Sequence, residues 1–256
     1  MIRSAREKNE LSGNTIVNKD IPEWRIVPGG DSCLVVEFDA ADMQRSNSVA
    51  CELARRLMKA ALPGVSDIVP SMAAVGVHYY PAVVASHSQG VTPWQHLMIQ
   101  VQAVMPTTMV SSEDAHREIV LPVCYGGEYG EDLEDVARTC GLSTEEVIDL
   151  HSGSTVRVLM LGFAPGHPYI GMFDPRLAIG RRPTPRTAVP EGSIGLANRQ
   201  SVIYPMTLPG GWSLIGRTPL KLFDPYQEPP CLLSAGDRIR FQPITARDFV
   251  EIEQQR

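Results

Sequence analysis

Little in this sequence points to a ready-made reactive centre. Its 256 residues include five cysteines, an odd number, scattered at Cys33, Cys51, Cys124, Cys140 and Cys231 without a CxxC pair. That excludes a disulfide framework or a zinc knuckle as the organising device, and most of these thiols sit among apolar residues, as small core side chains do. The six histidines match neither HExxH nor any other metal-ligand spacing, so no metal site is expected. His78, His87 and His96 are spread over the first half of the chain, and His116 and His151 read as surface or cap positions. There is no G-x-S-x-G elbow: Phe163 to His167 carries no serine, and Ser193 precedes a strand rather than a helix. No G-x-x-x-x-G-K-[ST] loop occurs either, so a phosphate would have to be held some other way. No apolar run approaches the roughly 20 residues that a spanning helix needs. Residues 1–22 lack the apolar core of a signal peptide and read as a disordered leader or a start-site artefact. With no export signal, the cytoplasm is the expected compartment, with reduced thiols.

What is present is organised in two parts. From 23 to 115 the pattern is strand, strand, helix, strand, strand, helix, an α/β sandwich with helices on a sheet. Val75, Val77 and Tyr79 alternate with Gly76 and His78, the period of a half-buried strand. Val49, Leu53 and Leu57 recur at helical spacing until Leu62-Pro-Gly64 stops the helix. Thr92-Pro93 opens a second helix whose inner face is Trp94, Leu97, Val101 and Val104. The second part, 116–256, begins with a strand at Arg117–Val123 and a helical lead-in at 131–151. There Glu131 and Asp132 suit a helix start, Ser143 to Glu146 is a capping box, and Asp149 belongs to a solvated face. After Gly153 the helical period vanishes. Short strands are expected at Thr155–Phe163, Thr187–Val189, Ser193–Ala197, Ser201–Tyr204, Trp212–Ile215, Leu220–Phe223 and Arg238–Gln242, making a closed or nearly closed β-barrel. A short helix capped by Thr245 and Asp248 ends the chain. The fold class is therefore α+β.

The chemistry concentrates between Leu159 and Pro225. From Arg157 to Lys221 there are seven arginines and one lysine against Asp174 and Glu191, a local charge of +6 in a chain of net charge −6. A basic segment inside an acidic protein suggests a local anion site rather than a nucleic-acid surface. The planar guanidinium fork suits carboxylate or phosphate, and glycines such as Gly166, Gly210 and Gly211 let backbone N–H groups approach the same anion. Arg199 and Arg217 are the best candidates for stabilising a developing anion, with Arg186 beside them; the alternative is that they pair with Glu191, Asp224 or loop carbonyls. His167, with an ordinary pKa near 6.5, is a candidate acid or base, or else a loop residue packed on Tyr169. Gln200, Tyr204 and Thr218 can orient a small amide, and Tyr169 is counted with them as a candidate substrate-binding residue.

Three blocks in this stretch, GFAPGHPYIG, PRTAVPEGSIGLANRQSVIYP and PGGWSLIGRTPLKLFDP, resemble the signature blocks of the B-subunit family of bacterial 5-oxoprolinase, also labelled allophanate hydrolase subunit 1 and KipI. PVCYGGEYGEDL resembles it too, with Glu131 where that family usually has proline. The resemblance runs from about Trp24 to Pro243 and extends to one half of the carboxyltransferase region of urea carboxylase. It implies a cyclophilin-like barrel for the second part. It also implies an ATP-dependent opening of 5-oxoproline to glutamate, shared with a carboxyltransferase-like C-type partner and a lactam-hydrolase A-type partner, so that this chain carries half a site. At position 167 that family commonly has an aromatic residue. Two other roles are compatible with the resemblance: inhibition of a sensor histidine kinase, and half of a urea or allophanate carboxyltransferase. In the latter, biotin would arrive on a partner, since no biotin-carrier motif occurs here. No nucleic-acid or membrane partner is expected.

Overall fold

The computed structural model of the protein describes residues 21–88, 90–107 and 117–255. Its elements fall into two compact units. In the first, β1 (Trp24–Pro28), β2 (Cys33–Phe38), β3 (Val65–Pro70) and β4 (Ala74–Tyr79) form one sheet in the order β1-β2-β4-β3. Strand alternation sends Leu34, Val36 and Phe38 of β2 and Val75, Val77 and Tyr79 of β4 to one face, where all are buried. Helix α1 (Met43–Ala60) covers that face with Val49, Ala50, Leu53, Ala54 and Leu57. Each fully buried leucine contributes about 1.5–3 kcal/mol. The helix starts where Asp42 accepts the Arg45 N–H, and it ends at Ala61, whose left-handed backbone lets its N–H reach back to the carbonyls of Leu57 and Met58. A short helix, α2 (Pro81–His87), was not expected. It precedes α3 (Pro93–Ala103), whose Thr92–Gln95 capping box and buried Leu97 and Val101 follow the sequence pattern. Ile21, assigned by sequence to the leader, is buried in this core; the rest of the leader, and His116, lie outside the described residues.

The second unit is a closed barrel. Its strands are β5 (Glu118–Tyr125), β6 (Val156–Leu161), β7 (Pro168–Gly171), β9 (Ser193–Ala197), β10 (Gln200–Ile203), β12 (Ser213–Arg217) and β13 (Arg238–Pro243), in the order β10-β7-β6-β13-β5-β12-β9. β5 and β13, the first and last strands of the unit, pair in parallel. A two-stranded ribbon, β8 (Arg186–Val189) with β11 (Leu208–Gly210), lies outside the ring. The expected α+β class with a C-terminal barrel is what the protein has. Two details differ. β7 and β11 lie in proline- and glycine-rich stretches that read as loops; Pro168 is tolerated because it is the first residue of its strand. Leu220–Phe223, flanked by Pro219 and Pro225, forms only one bridge, Phe223 to Cys231.

Two helices, α4 (Leu133–Cys140) and α5 (Thr144–Ser152), connect β5 to β6. The i, i+4 spacing of α5 turns Val147 and His151 to the same buried face. His151 is therefore not a surface or cap residue: it is fully buried. Its Nδ1 lies 2.8 Å from Tyr125 Oη and its Nε2 lies 2.8 Å from Ser201 Oγ. The imidazole is stacked 4.6 Å from Phe173 and sits 4.3 Å from Phe241. Burial pushes its pKa down to about 3, so the ring is neutral and serves as a hydrogen-bonded plug of the barrel interior. Helix α6 (Ala246–Glu253) closes the chain with the expected Thr245–Asp248 capping box.

Candidate functional site

The inward positions of β9, β10 and β12 (Ile194, Leu196, Ile203, Ile215) belong to the barrel core. The alternate positions point the other way. Ala197, Val202, Tyr204 and Leu214 form a second cluster with Trp212 and Val189, packed against Tyr169 and Leu208. On this outer face the ribbon backbone passes close over the sheet: a side chain at Gly210 would collide with the Tyr204 hydroxyl, and one at Gly195 would meet Trp212 at 2.6 Å. Glycine is required at both places by this approach. Tyr204 is buried, with its hydroxyl hydrogen-bonded by the Trp212 backbone, and burial raises its pKa to about 12. His167 stands beside it, ringed by Tyr169 at 5.2 Å, Phe163 at 5.3 Å and Tyr204 at 5.4 Å. It is 2% exposed, its Nδ1 has no protein hydrogen-bond partner, and burial lowers its pKa to about 4. At neutral pH both groups are uncharged.

The charged edge of this face is held by Asp132. Its carboxylate accepts Arg182 Nη1 at 2.7 Å, both Nη atoms of Arg186 at 2.9 Å, and the Leu214 N–H at 2.7 Å. Its own N–H donates to Leu214 O. Burial acts to raise the Asp132 pKa, but Arg186, the Leu214 N–H and Arg182 outweigh it and hold the carboxyl below its ordinary value. Arg182 also donates its backbone N–H to Gly211 O, and Arg181 lies over the Trp212 ring at 5.3 Å. The sequence placed Asp132 at a helix start. It is the residue before α4, but its side chain makes no capping bond; the arginines take it instead. Nothing in the local sequence signals this, because the partners are 50 and 54 residues away.

Of the residues singled out by sequence, Gly166, His167, Tyr169, Arg186, Tyr204, Gly210 and Gly211 are therefore drawn to this outer region. Gly166 sits at its edge, packed on Leu222 and Phe223, and Gly211 lies against Pro185. The two leading arginines do not meet. Arg217 is the register partner of Ser193 at one end of β9, while Arg199 lies two residues beyond Ala197 at the other end, roughly 13 Å along the strand. Arg217 Nε donates to Glu191 O at 2.6 Å and its guanidinium lies over Phe249. Thr218 is next to it, buried, with its N–H on Gly192 O. Arg199 Nε donates to Phe173 O at 2.9 Å, and Gln200 Nε2 lies 3.6 Å from Met172 Sδ. Residues that sequence reasoning left out of the site are Asp132, Phe163, Arg181, Arg182 and Trp212. Among the described residues no group of three or more His, Cys, Asp or Glu side chains comes together, and no helix is long and apolar enough to cross a membrane.

The carboxyltransferase domain, subdomain C and D, matches residues 24–233. The chain belongs to that family. It is 39% identical over 228 residues to the B subunit of 5-oxoprolinase from Bacillus subtilis (strain 168), a match that covers 88% of this chain and 95% of that protein. The resemblance carried by the signature blocks is thus one of family membership. Among solved structures, TTHA0988 matches with a TM-score of 0.72 at 33% identity; the match covers 84% of this chain and only 40% of that chain, so this chain spans well under half of its length. The urea amidolyase of K. lactis matches with a TM-score of 0.69 over 91% of this chain and 16% of its own, and at 17% identity that likeness is one of fold.

Proposed function

We propose that this chain is the B subunit of an ATP-dependent 5-oxoprolinase, and that it opens the lactam of 5-oxoproline to glutamate only together with a carboxyltransferase-like C-type partner and a lactam-hydrolase A-type partner. The observation that carries the reading is the 39% identity across 95% of a protein named as the B subunit of 5-oxoprolinase. Such an assembly, using ATP as co-substrate, works in the cytoplasm.

The chemistry of the outer face supports a half-site. Neutral His167 and Tyr204, flanked by aromatic rings, suit an uncharged amide ring better than a phosphate. The exposed Arg181 guanidinium beside Trp212 suits the carboxylate of such a substrate. The arginines do not fit a self-contained triphosphate cradle. Arg176 is paired with Asp174, and Arg182 and Arg186 with Asp132; Arg199 and Arg217 hold loop carbonyls at opposite ends of β9. No step on ATP is therefore assigned to these residues.

The test is reconstitution. The purified chain alone should release no glutamate from 5-oxoproline and ATP, and adding both partner proteins should restore turnover. Turnover by the chain alone would overturn the half-site reading. A complete assembly that leaves 5-oxoproline intact would overturn the substrate, and inhibition of a sensor histidine kinase by such an inactive preparation would replace it.

A further inference from the structure

Phe163 is displayed rather than packed. Its ring is 64% exposed, and its backbone has φ 74, a left-handed conformation that a bulky L residue adopts only at a cost. The loop that holds it is nevertheless well fixed. The Gly162 N–H donates to His167 O and the His167 N–H to Ala164 O, both at 3.1 Å. Gly166, at φ 73, is pressed so closely on the following strand-like segment that a Cβ there would lie 2.8 Å from Phe223 Cβ. The buried His167 ring meets Phe163 edge to face at 5.3 Å. The loop thus holds an aromatic ring outward, in contact with the buried His167 ring of the candidate site. Tyr226, 95% exposed, lies three residues past Phe223, the residue that Gly166 packs on. Among the described residues of the barrel unit these two are the aromatic members of the exposed large apolar set.

A preorganised, exposed aromatic is the usual form of a binding anchor, because little freedom is lost when it is buried. We infer that Phe163 is the anchor by which this chain docks its carboxyltransferase-like partner, which presents an apolar pocket for the ring. The inference rests on the 5-oxoprolinase reading above. That partner is the favoured occupant, rather than a second copy of this chain, because the ring adjoins the His167 face: a protein seated on Phe163 stands where a half-site must be completed.

The substitution Phe163→Gly separates anchoring from folding, since glycine relieves the left-handed strain while removing the ring. With purified wild-type chain and purified carboxyltransferase-like partner from the same organism, titration calorimetry gives the reference Kd. Phe163→Gly should weaken it about tenfold or more, with the melting temperature of the isolated chain unchanged or raised; Phe163→Leu should fall between. A Kd for Phe163→Gly within about twofold of wild type, where the wild-type pair assembles and turns over once the A-type partner is added, would overturn the anchor and leave the 5-oxoprolinase reading standing. The same holds if the variant raises KM while assembly is unaffected, which would assign the ring to the substrate. If the wild-type pair does not associate at all, both readings fall.

Discussion

The two units solve the same problem in different ways. In the first, the core between sheet and helices is made of apolar side chains, and among the described residues only Ser46 and Asn47 are polar and buried. In the barrel unit Asp132, His151, His167, Ser193, Ser201, Thr218 and Asp237 are all buried. Apolar burial is non-directional and tolerates repacking. A buried carboxylate or imidazole is stabilising only when its partners are in place, and is costly when they are missing. The first unit should therefore respond to loss of volume, and the barrel to loss of a partner or a proton.

The largest expected effect is at Asp132. Asp132→Ala strips Arg182 and Arg186 of the carboxylate they share and leaves the Leu214 N–H unpaired, a loss of about 3–5 kcal/mol. Denaturant unfolding followed in the barrel, with Asp132→Asn as the shape-preserving comparison, checks this. A loss under about 1 kcal/mol would mean that the cluster is solvated and the contrast between the units is wrong. The counterpart in the first unit is Leu53→Ala, which opens a cavity and costs about 2–5 kcal/mol, with no dependence on ionic strength.

Next comes pH. The unfolded chain takes up a proton on each histidine near pH 6.5, whereas folded His167 and His151 refuse it until about 4 and about 3. The unfolded state thus binds more protons in between, and the barrel loses stability as pH falls from about 6.5 towards 4. At pH 5 the loss is on the order of 2 kcal/mol for each histidine. Urea midpoints at pH 7 and pH 5 should show the drop in the barrel, and His167→Phe should remove part of it. A slope unchanged by that substitution would show that His167 is not buried in its neutral form. The first unit, with no buried histidine among its described residues, should not share this slope.

Smaller again are the helix caps. Ser143→Ala and Thr245→Ala each remove a side-chain acceptor from a capping box and should cost about 1 kcal/mol, measured as shifts in urea midpoint at constant slope. These caps were legible in the sequence, as were the periodicity of α1 and α3 and the alternation of β4, because each is written within a few residues. The barrel was legible only as a succession of short strands: β7 hid in a proline-glycine run. The energetically larger features were not legible. Asp132 finds its arginines 50 and 54 residues on, and His151 finds Ser201 50 residues on. A histidine before Ser152-Gly153 looks like a helix end until the fold turns it inward. Local rules thus recover the small terms, while the large ones are set by closure of the ring.

The smallest effect expected is a coupling. Arg199 and Arg217 looked like a pair in the sequence, two cations in one motif-rich stretch. The register of β9 separates them by its length, and each guanidinium holds a different carbonyl. Residues so far apart, with no shared partner, have additive effects to within about 0.3–0.5 kcal/mol. In the reconstituted enzyme, log kcat/KM for the double Arg199→Ala, Arg217→Ala variant should therefore equal the sum of the two single losses, whatever their size. A coupling above about 1 kcal/mol would mean that both arginines reach one anion when the partner is bound. The outer Tyr204–His167 face would then be a scaffold, and the working end of the barrel would have to be formed across β9.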